Sequence, residues 1–158
     1  MAFDAQLQRQ IMGRFATGVT VVTTQYGDGE ITGITANAVM SLSLDPPLVV
    51  VSVDKKALIH GCLSDGQCYA INILTRDQED LSTRFATPGP KDLSGLEWTE
   101  SQTGAPILKD TLGYLDCKLT DVLPAGDHDM FVGEVVAGDL CEGLPLLFYG
   151  GKYRNLGE

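Results

Sequence analysis

The chain has 158 residues, of which 44% are hydrophobic and 20% charged, and this ordinary globular composition excludes a disordered, collagen-like or coiled-coil protein. Its 11 basic and 21 acidic side chains give a formal net charge of −10, which opposes binding to nucleic-acid phosphate or to an anionic membrane surface. We therefore expect a single domain over residues 1–158, with no nucleic-acid or membrane partner.

No segment contains the roughly eighteen consecutive apolar residues that a membrane-spanning helix needs, and the N-terminus lacks a basic region followed by an apolar run. These features indicate a cytoplasmic protein. The four cysteines form no C-x-x-C pair and are interpreted as free thiols. The two histidines, His60 and His128, are far apart and belong to no metal-binding motif, so we predict no metal site and interpret His60 as structural.

The first fifteen residues predict an amphipathic helix. Apolar side chains recur at every fourth position, at Phe3, Leu7, Ile11 and Phe15. Asp4 is suited to cap the start of this helix. We expect the apolar face to pack against another part of the protein.

Two β-branched runs follow, at 18–24 and 31–35, and the glycine-containing segment 26–29 between them predicts a turn. Together they predict a hairpin. After an extended break at 45–47, the short apolar run 48–53 is typical of a strand buried on both faces.

The middle of the chain alternates helices and strands. A short helix is predicted from residue 57 to 63, ending by Gly66, and a strand over 69–74. Thr75 and Gln78 have the spacing of a capping box, which predicts a helix running to about Phe85. Residues 87–112 have few periodic apolar positions and are interpreted as a long surface loop without regular elements.

The last third of the chain is predicted to be β-structure. Polar and apolar residues alternate over 115–120, a turn is expected at 124–127, a strand at 130–136 and a short closing segment at 146–149. At least six strands and only brief helices favour a mostly β fold, a single, mainly antiparallel β-barrel decorated by short helices.

Common nucleotide and hydrolase motifs are absent from the sequence. It contains no G-x-x-x-x-G-K-[ST] loop, no G-x-G-x-x-G between a strand and a helix, and no G-x-S-x-G elbow. A P-loop, a Rossmann site and a serine hydrolase are therefore not supported.

The segment 33–48, Gly-Ile-Thr-Ala-Asn-Ala-Val-Met-Ser-Leu-Ser-Leu-Asp-Pro-Pro-Leu, is interpreted as the end of a strand followed by a loop of small and hydroxyl-bearing residues just before the predicted core strand. It resembles the flavin reductase family, whose members carry Gly-x-Thr-Ala-Asn-Ser followed by Ser-x-x-Pro-Pro-Leu. Segments 14–23, 69–74, 126–128, 133–135 and 147–153 resemble further family motifs in the same order, so the similarity covers nearly the whole chain. The resemblance implies the split-barrel flavin-binding fold.

The resemblance also implies an activity and partners. Family members transfer a hydride from NADH or NADPH to FMN or FAD, many as the small component of two-component monooxygenases, and pair as homodimers around the flavin. The sequence does not distinguish FMN from FAD or NADH from NADPH. Two alternatives remain open, an FMN-binding electron-transfer flavoprotein of the same fold and a non-catalytic flavin-binding or dimerisation module.

The residues expected at the flavin ring are small or hydroxyl-bearing, because a planar, largely apolar ring needs close approach of backbone groups. They are Thr35, Ala36, Asn37, Ala38 and Ser41, and Leu42 is expected beside them. A second flavin-binding segment is expected at Ser52, Val53, Asp54, Lys55, Lys56 and Ala57. Residues 54–57 depart from the family, which often has small hydroxyl residues there. Lys152 and Tyr153 are expected to close over the ring or the subunit seam, with ordinary packing as the alternative.

The flavin phosphate needs positive charge, and Lys55, Lys56 and Arg84 are the candidate anchors in a chain that is short of cations. The alternative for each is a solvated surface charge. His128 stands in the segment Gly126-Asp127-His128, which resembles a family turn near the nicotinamide or the flavin. We predict that His128 is the residue of the reaction site that docks the nicotinamide, and a histidine bonded only within its turn is the alternative.

Overall fold

The computed structural model describes residues 1–157. Its helices are α1 (Ala5–Met12), α2 (Leu58–Gly66) and α3 (Glu79–Ala86), and a 3-10 turn at Arg76–Gln78 precedes α3. The strands of the first half are β1 (Thr17–Gly18), β2 (Thr20–Tyr26), β3 (Glu30–Ala36), β4 (Val39–Leu44), β5 (Pro47–Asp54) and β6 (Cys68–Ile73). Those of the second half are β7 (Trp98–Thr99), β8 (Ile107–Leu108), β9 (Gly113–Ala125), β10 (His128–Leu140), β11 (Leu147–Tyr149) and β12 (Lys152–Arg154).

The main sheet has seven strands in the order β3-β2-β6-β9-β10-β5-β4, and every neighbouring pair is antiparallel. One hydrophobic core lies under it and includes Val22, Val51, Ile71 and Phe131 from four of its strands. Ile34 of the first strand in this order and Val39 of the last pack against the same core, so the sheet curves around it. The predicted mostly β, antiparallel architecture is confirmed.

A second core joins the smaller sheet β1-β11-β12 to α3 and to the long segment after it. Phe85 of α3, Leu93 of that segment and Leu146 before β11 are buried together there. Phe148 and Tyr153 pack against this cluster from β11 and β12.

The elements with strong local signals form where they were predicted. The hairpin β2–β3 turns through Gly27 and Gly29, whose φ angles of 54° and 100° suit glycine. The core strand β5, α2 and β6 lie within a few residues of the predicted bounds. The capping box is present, with Thr75 N donating to Gln78 Oε1 at 3.0 Å.

Two segments expected to be loops are more ordered than the sequence indicated. Residues 39–44 form β4, which pairs with β5. Residues 87–112 contain β7 and β8, and Leu93, Ala105 and Leu108 are buried. This segment therefore fills part of the core, which its irregular spacing of apolar residues concealed. The sequence also missed β12.

The helix α1 has the predicted cap, since Asp4 Oδ1 accepts a hydrogen bond from Gln6 N at 2.8 Å. Its predicted packing is not found among residues 1–157. Phe3 and Phe15 at the ends of the apolar face are 66% and 69% exposed, and no residue of α1 is buried.

Within residues 1–157, no helix is long and apolar enough to span a membrane, and no group of three or more His, Cys, Asp or Glu residues is arranged to hold a metal ion. All four cysteines are free. Burial raises the pKa of the Cys117 thiol to about 12, with the neighbouring Asp116 as a smaller cause, so this thiol stays protonated at neutral pH.

Tyr69 is fully buried in β6, and its hydroxyl donates to Phe131 O at 2.9 Å, with Val49 O also within 3.3 Å. Burial raises the pKa of Tyr69 well above its ordinary value, so the hydroxyl remains a donor. Gly133 leaves the space for it, since a Cβ there would lie 2.6 Å from Tyr69 Oη and 2.9 Å from Cys117 Cβ.

We predict that Tyr69→Phe lowers the free energy of unfolding by about 1 to 2 kcal/mol, because it leaves buried carbonyl groups without their donor. Gly133→Ala should cost more, since its Cβ collides with Tyr69 and Cys117. Urea denaturation measures both. The half-exposed Tyr149→Phe is the matched control and should change stability little. Equal effects of the Tyr69 and Tyr149 changes would contradict the prediction.

Candidate active site

Three of the predicted segments meet at one end of the main sheet. Ser52 N donates to Ala38 O at 3.0 Å, which joins the connection between β3 and β4 to the end of β5. His128 begins β10 directly opposite Asp54. The small-residue segment 35–38, the segment 52–57 and His128 are therefore brought together by strand pairing alone.

Hydrogen bonds hold the segment 35–38 in place. Thr35 Oγ1 donates to Ser82 O at 2.6 Å, and Ala36 O accepts from Thr20 Oγ1 at 2.6 Å. Asn37 Nδ2 donates to Thr17 Oγ1 at 3.2 Å. Asn37 and Ala38 are exposed, so this fixed backbone is open to a ligand.

Ser41 and Leu42 lie on β4, which is an edge strand of the sheet. The register with β5 shifts between Ser41 and Ser43, and Leu42 lies at this irregularity. Ser41 and Leu42 are both exposed. Val39 on the same strand packs against the hydrophobic core. Ser41 and Leu42 therefore lie at the edge of the sheet and are open to a ligand or to a second chain.

The end of β5 leads into a turn in which Asp54 Oδ1 accepts from Lys56 N at 2.8 Å. The Lys55 ammonium group donates to Gly126 O at 2.8 Å and lies 3.7 Å from Asp129 Oδ1, while Lys55 N donates to Asp127 O at 3.0 Å. Lys55 thus joins the segment 52–57 to the turn before His128. Its charge is already paired with protein groups.

Lys56 and Ala57 line a cavity of about 420 Å³ together with Gly33 of β3, Phe85 of α3 and Lys91 of the following segment. Gly33 is needed where the Phe85 ring approaches, because a Cβ would lie 3.1 Å from its Cε1 atom. Two ammonium groups and apolar walls suit a ligand that is partly aromatic and carries a negative charge.

Arg84 does not line this cavity. Its Nη2 atom donates to Ser94 O at 2.9 Å and to Asp92 O at 3.1 Å, and the guanidinium group lies 5.8 Å from the Phe85 ring centroid. Arg84 therefore holds the segment after α3 against the helix. It lines a separate cavity of about 430 Å³ together with Leu81 and Leu96.

His128 is half-buried, and its Nδ1 atom lies 2.7 Å from Asp127 Oδ1. This hydrogen bond is the main cause that lowers the pKa of the Asp127 carboxyl group, followed by the charge of His128 itself. Asp127 therefore orients the imidazole ring, a contact that the sequence alone does not predict. Within residues 1–157, Nε2 of His128 has no hydrogen-bond partner and is available to a ligand.

One pair next to this turn was missed by sequence reasoning. His60 Nε2 lies 2.7 Å from Asp129 Oδ2, and the His60 ring meets Phe131 edge-on with 5.1 Å between ring centroids. The two residues are 69 positions apart, and neither belongs to a motif, so no local signal could have linked them. The Asp129 side chain is only 14% exposed and faces both His60 and Lys55.

Tyr153 and Lys152 lie on opposite faces of β12. Tyr153 Oη is 2.7 Å from Ser82 Oγ, and its ring meets Phe148 edge-on at 5.6 Å. Tyr153 therefore packs behind the segment 35–38 through Ser82. Lys152 is exposed on the outer face.

A family model described as a flavin reductase like domain matches residues 12–157 of the chain. The chain belongs to the flavin reductase family. The chain is 41% identical over 151 residues to an NADH-dependent flavin reductase of Rhodococcus sp, covering 94% of this chain and 84% of that protein. It is 40% identical over 145 residues to the FMN reductase (NADH) SmoA of Agrobacterium fabrum, covering 92% and 82%. Two relatives from Rhizobium meliloti are longer, and the chain spans 59% and 43% of them.

The solved structure of flavin reductase PheA2 in its native state superposes with a TM-score of 0.90 at 43% identity, covering 99% of this chain and all of that one. The family predicted from the sequence motifs is confirmed. The enzyme class is confirmed with it, a flavin oxidoreductase whose relatives use NADH.

We predict that Asp129→Ala lowers the free energy of unfolding by about 1 to 3 kcal/mol, because it leaves the half-buried His60 without its hydrogen-bond partner and Lys55 without its counter-charge. Chemical denaturation measures the change. Glu134→Ala, on the same strand but exposed, is the control and should alter stability by less than about 0.5 kcal/mol. The same small change for both variants would contradict this account of Asp129.

Proposed function

We propose that this protein is an NAD(P)H-dependent flavin reductase, in which hydride passes from C4 of the reduced nicotinamide to N5 of FMN or FAD. The proposal rests on one observation. The open segment 35–38, the cavity beside Lys56 and the free Nε2 edge of His128 lie at the same end of the sheet. The motifs shared with NADH-dependent relatives support the same reaction.

The residues present fit a flavin. The backbone of Asn37 and Ala38 is open to a planar ring, and Gly33 and Ala57 leave room along the cavity walls. The phosphate of the flavin suits Lys56, whereas the ammonium groups of Lys55 and Lys91 donate to backbone carbonyl groups and Arg84 is engaged with the segment after α3. Of the three cations predicted from the sequence, Lys55, Lys56 and Arg84, we therefore assign the binding of the flavin phosphate to Lys56.

The bound flavin supplies the hydride acceptor, and the chain supplies orientation and exclusion of water. His128 presents Nε2 to the nicotinamide while Asp127 holds Nδ1, which fixes the plane of the ring. Hydride transfer requires no proton at the moment of transfer, so His128 acts by position.

We also propose that the main sheet closes as a split barrel and that two copies form a homodimer with the flavin at their seam. The apolar face of α1 and exposed apolar residues of β4, Met40, Leu42 and Leu44, have no partner within residues 1–157 and suit such a seam. The expected mass by light scattering is twice the 16.9 kDa of one chain. A monomer mass with flavin bound would contradict the dimer.

We place the protein in the cytoplasm, as a single domain that passes reduced flavin to a monooxygenase. Relatives named as reductase subunits of monooxygenases, such as HsaB of Rhodococcus jostii, support this partner.

The experiment that tests the function is steady-state oxidation of NADH and NADPH by the purified protein with and without added FMN or FAD. Oxidation that rises and saturates with added flavin supports the proposal. Tight, stoichiometric FMN binding without turnover would favour the electron-transfer flavoprotein, and no flavin binding at micromolar concentration would contradict both.

We predict that His128→Ala raises the KM for NAD(P)H with little change in flavin affinity, because the lost contact binds substrate and transition state alike. Initial rates against nicotinamide concentration, combined with a flavin titration by fluorescence, measure the two effects. Loss of flavin affinity with an unchanged KM would assign His128 to the other ligand.

We predict that Lys56→Ala weakens FMN binding by about tenfold, because it removes a charge-assisted contact to the phosphate. Arg84→Ala is the matched comparison and should leave FMN affinity within about twofold, since its guanidinium group contacts Asp92 and Ser94. Fluorescence titration gives both dissociation constants. The opposite order of effects would show that Arg84 is the anchor.

A further inference from the structure

The turn that presents His128 is held through its backbone. The Asp127 carboxyl group beside the imidazole ring is 89% exposed, and an exposed ion pair fixes little, because water and salt compete for it. Lys55 makes two further contacts with this turn. Its backbone N–H donates to Asp127 O at 3.0 Å, and its ammonium group donates to Gly126 O at 2.8 Å. The position of Lys55 therefore sets the position of the turn.

The Lys55 ammonium group is aimed by a second residue, Asp129. The Lys55 side chain is 44% exposed, and a long side chain of this kind loses much conformational freedom when it is held in one place. Asp129 is only 14% exposed, and its Oδ1 atom lies 3.7 Å from Lys55 Nζ. A negative charge in this half-enclosed position attracts the ammonium group more strongly than an exposed one would. It therefore keeps Lys55 beside Gly126 O.

Asp129 is in turn oriented by His60, whose Nε2 atom lies 2.7 Å from Asp129 Oδ2. The His60 ring meets the fully buried Phe131 edge-on, and α2, which carries His60, is anchored by the buried side chains of Ile59 and Leu63. Among residues 1–157, no other carboxylate contacts two basic side chains. A rigid helix thus fixes the carboxylate that aims Lys55.

Asp129 and His128 lie on opposite faces of β10. Asp129 shares the inner face with Phe131, since both contact His60. Successive residues of a strand point to opposite faces, so His128 lies on the outer face, where it pairs with Asp54 of β5. Asp129 therefore does not touch a ligand bound beside His128, and it can act only through the turn.

Resting on the proposed function, we propose that Asp129 and His60 are positioning residues for the docking of the nicotinamide. They aim the Lys55 ammonium group at Gly126 O, and the fixed turn then presents His128 Nε2 in one direction. Loss of this support leaves His128 in place but lets its ring sample other positions. The cost therefore falls on the binding of the nicotinamide.

The first test is Asp129→Asn, which keeps an oxygen that accepts from His60 and removes the charge that attracts Lys55. The KM for NADH or NADPH is expected to rise about three- to tenfold, with FMN affinity within about twofold of wild type. Asp139→Asn, the same change at an exposed position of β10, is the matched control and should leave both unchanged. Urea denaturation verifies that both variants are folded under the assay conditions.

A double variant separates positioning from general loosening of the fold. In a His128→Ala background, Asp129→Asn should raise KM no further, because its effect passes through the missing imidazole. His60→Gln retains a side-chain N–H and should stay closer to the wild-type KM than His60→Ala. Additive effects of the Asp129 and His128 changes would overturn the proposal. Tighter FMN binding by Asp129→Asn would also overturn it, because Asp129 would then serve to withhold Lys55 from the flavin phosphate.

The second test needs neither flavin nor nicotinamide. The chain has two histidines, so nitrogen NMR of the imidazole rings resolves His128, and His60→Gln assigns the other signal. The Asp127 carboxylate can only accept, so the neutral His128 ring carries its proton on Nδ1. Asp129→Asn, unlike Asp139→Asn, is expected to shift His128 toward the Nε2–H tautomer that free imidazole side chains prefer. An unchanged His128 signal would overturn the proposal even if the protein reduces flavin. If no flavin is reduced, the function fails while this spectrum still tests the pair.

Discussion

The hydroxyl group of Tyr69 joins strands that are not neighbours in the main sheet. β6 pairs with β2 and β9, yet its buried phenol reaches a carbonyl group of β10 and lies close to one of β5. A buried carbonyl without a donor is costly, so this hydrogen bond fixes the separation across the core. Gly133 permits it by leaving no side chain in the way, which gives a physical reason for glycine in the segment Gly133-Glu134-Val135.

The same two strands carry the candidate site to the edge of the core. β5 ends in the segment 52–57, and β10 begins with His128. The interior hydrogen bond of Tyr69 therefore helps to fix the positions of both parts of the site. At the rim, the Lys55 ammonium group lies between Gly126 O and Asp129 and holds the two connections together. Rigid support of this kind is what a reaction without an acid–base residue needs, because its rate depends on the mutual position of two rings.

The sequence predicted the elements whose signals are local. The hairpin turn at Gly27 and Gly29, the apolar run of β5 and the capping box at Thr75 each depend on residues a few positions apart. β4 was missed because its strand character comes from pairing with β5, and its own small and exposed residues do not alternate clearly. The segment 87–112 was misjudged because Leu93 and Leu108 are buried by contacts with distant elements.

The site was predictable in the same uneven way. Motif resemblance brought together the segments 35–38 and 52–57 with His128, and the sheet places them side by side. The contacts of each cation could not be predicted, because Lys55 meets Gly126 and Asp129, which both lie more than 70 positions away along the chain. Arg84 was predicted to bind the flavin phosphate from its charge alone. Its hydrogen bonds to Asp92 O and Ser94 O show instead that it holds the segment after α3 in place.

Scarcity of positive charge governs how this protein can hold its anionic ligands. A net charge of −10 repels flavin phosphate and NAD(P)H from most of the surface, so attraction must come from a few sites where cations are not matched by carboxylates. At physiological ionic strength charges farther away than about 8 Å are largely screened, so the nearest cations dominate at contact. Lys56 and Lys91 at the cavity beside Phe85 are such a local exception. The acidic remainder of the surface disfavours anions elsewhere, so these few cations direct an anionic ligand to that cavity.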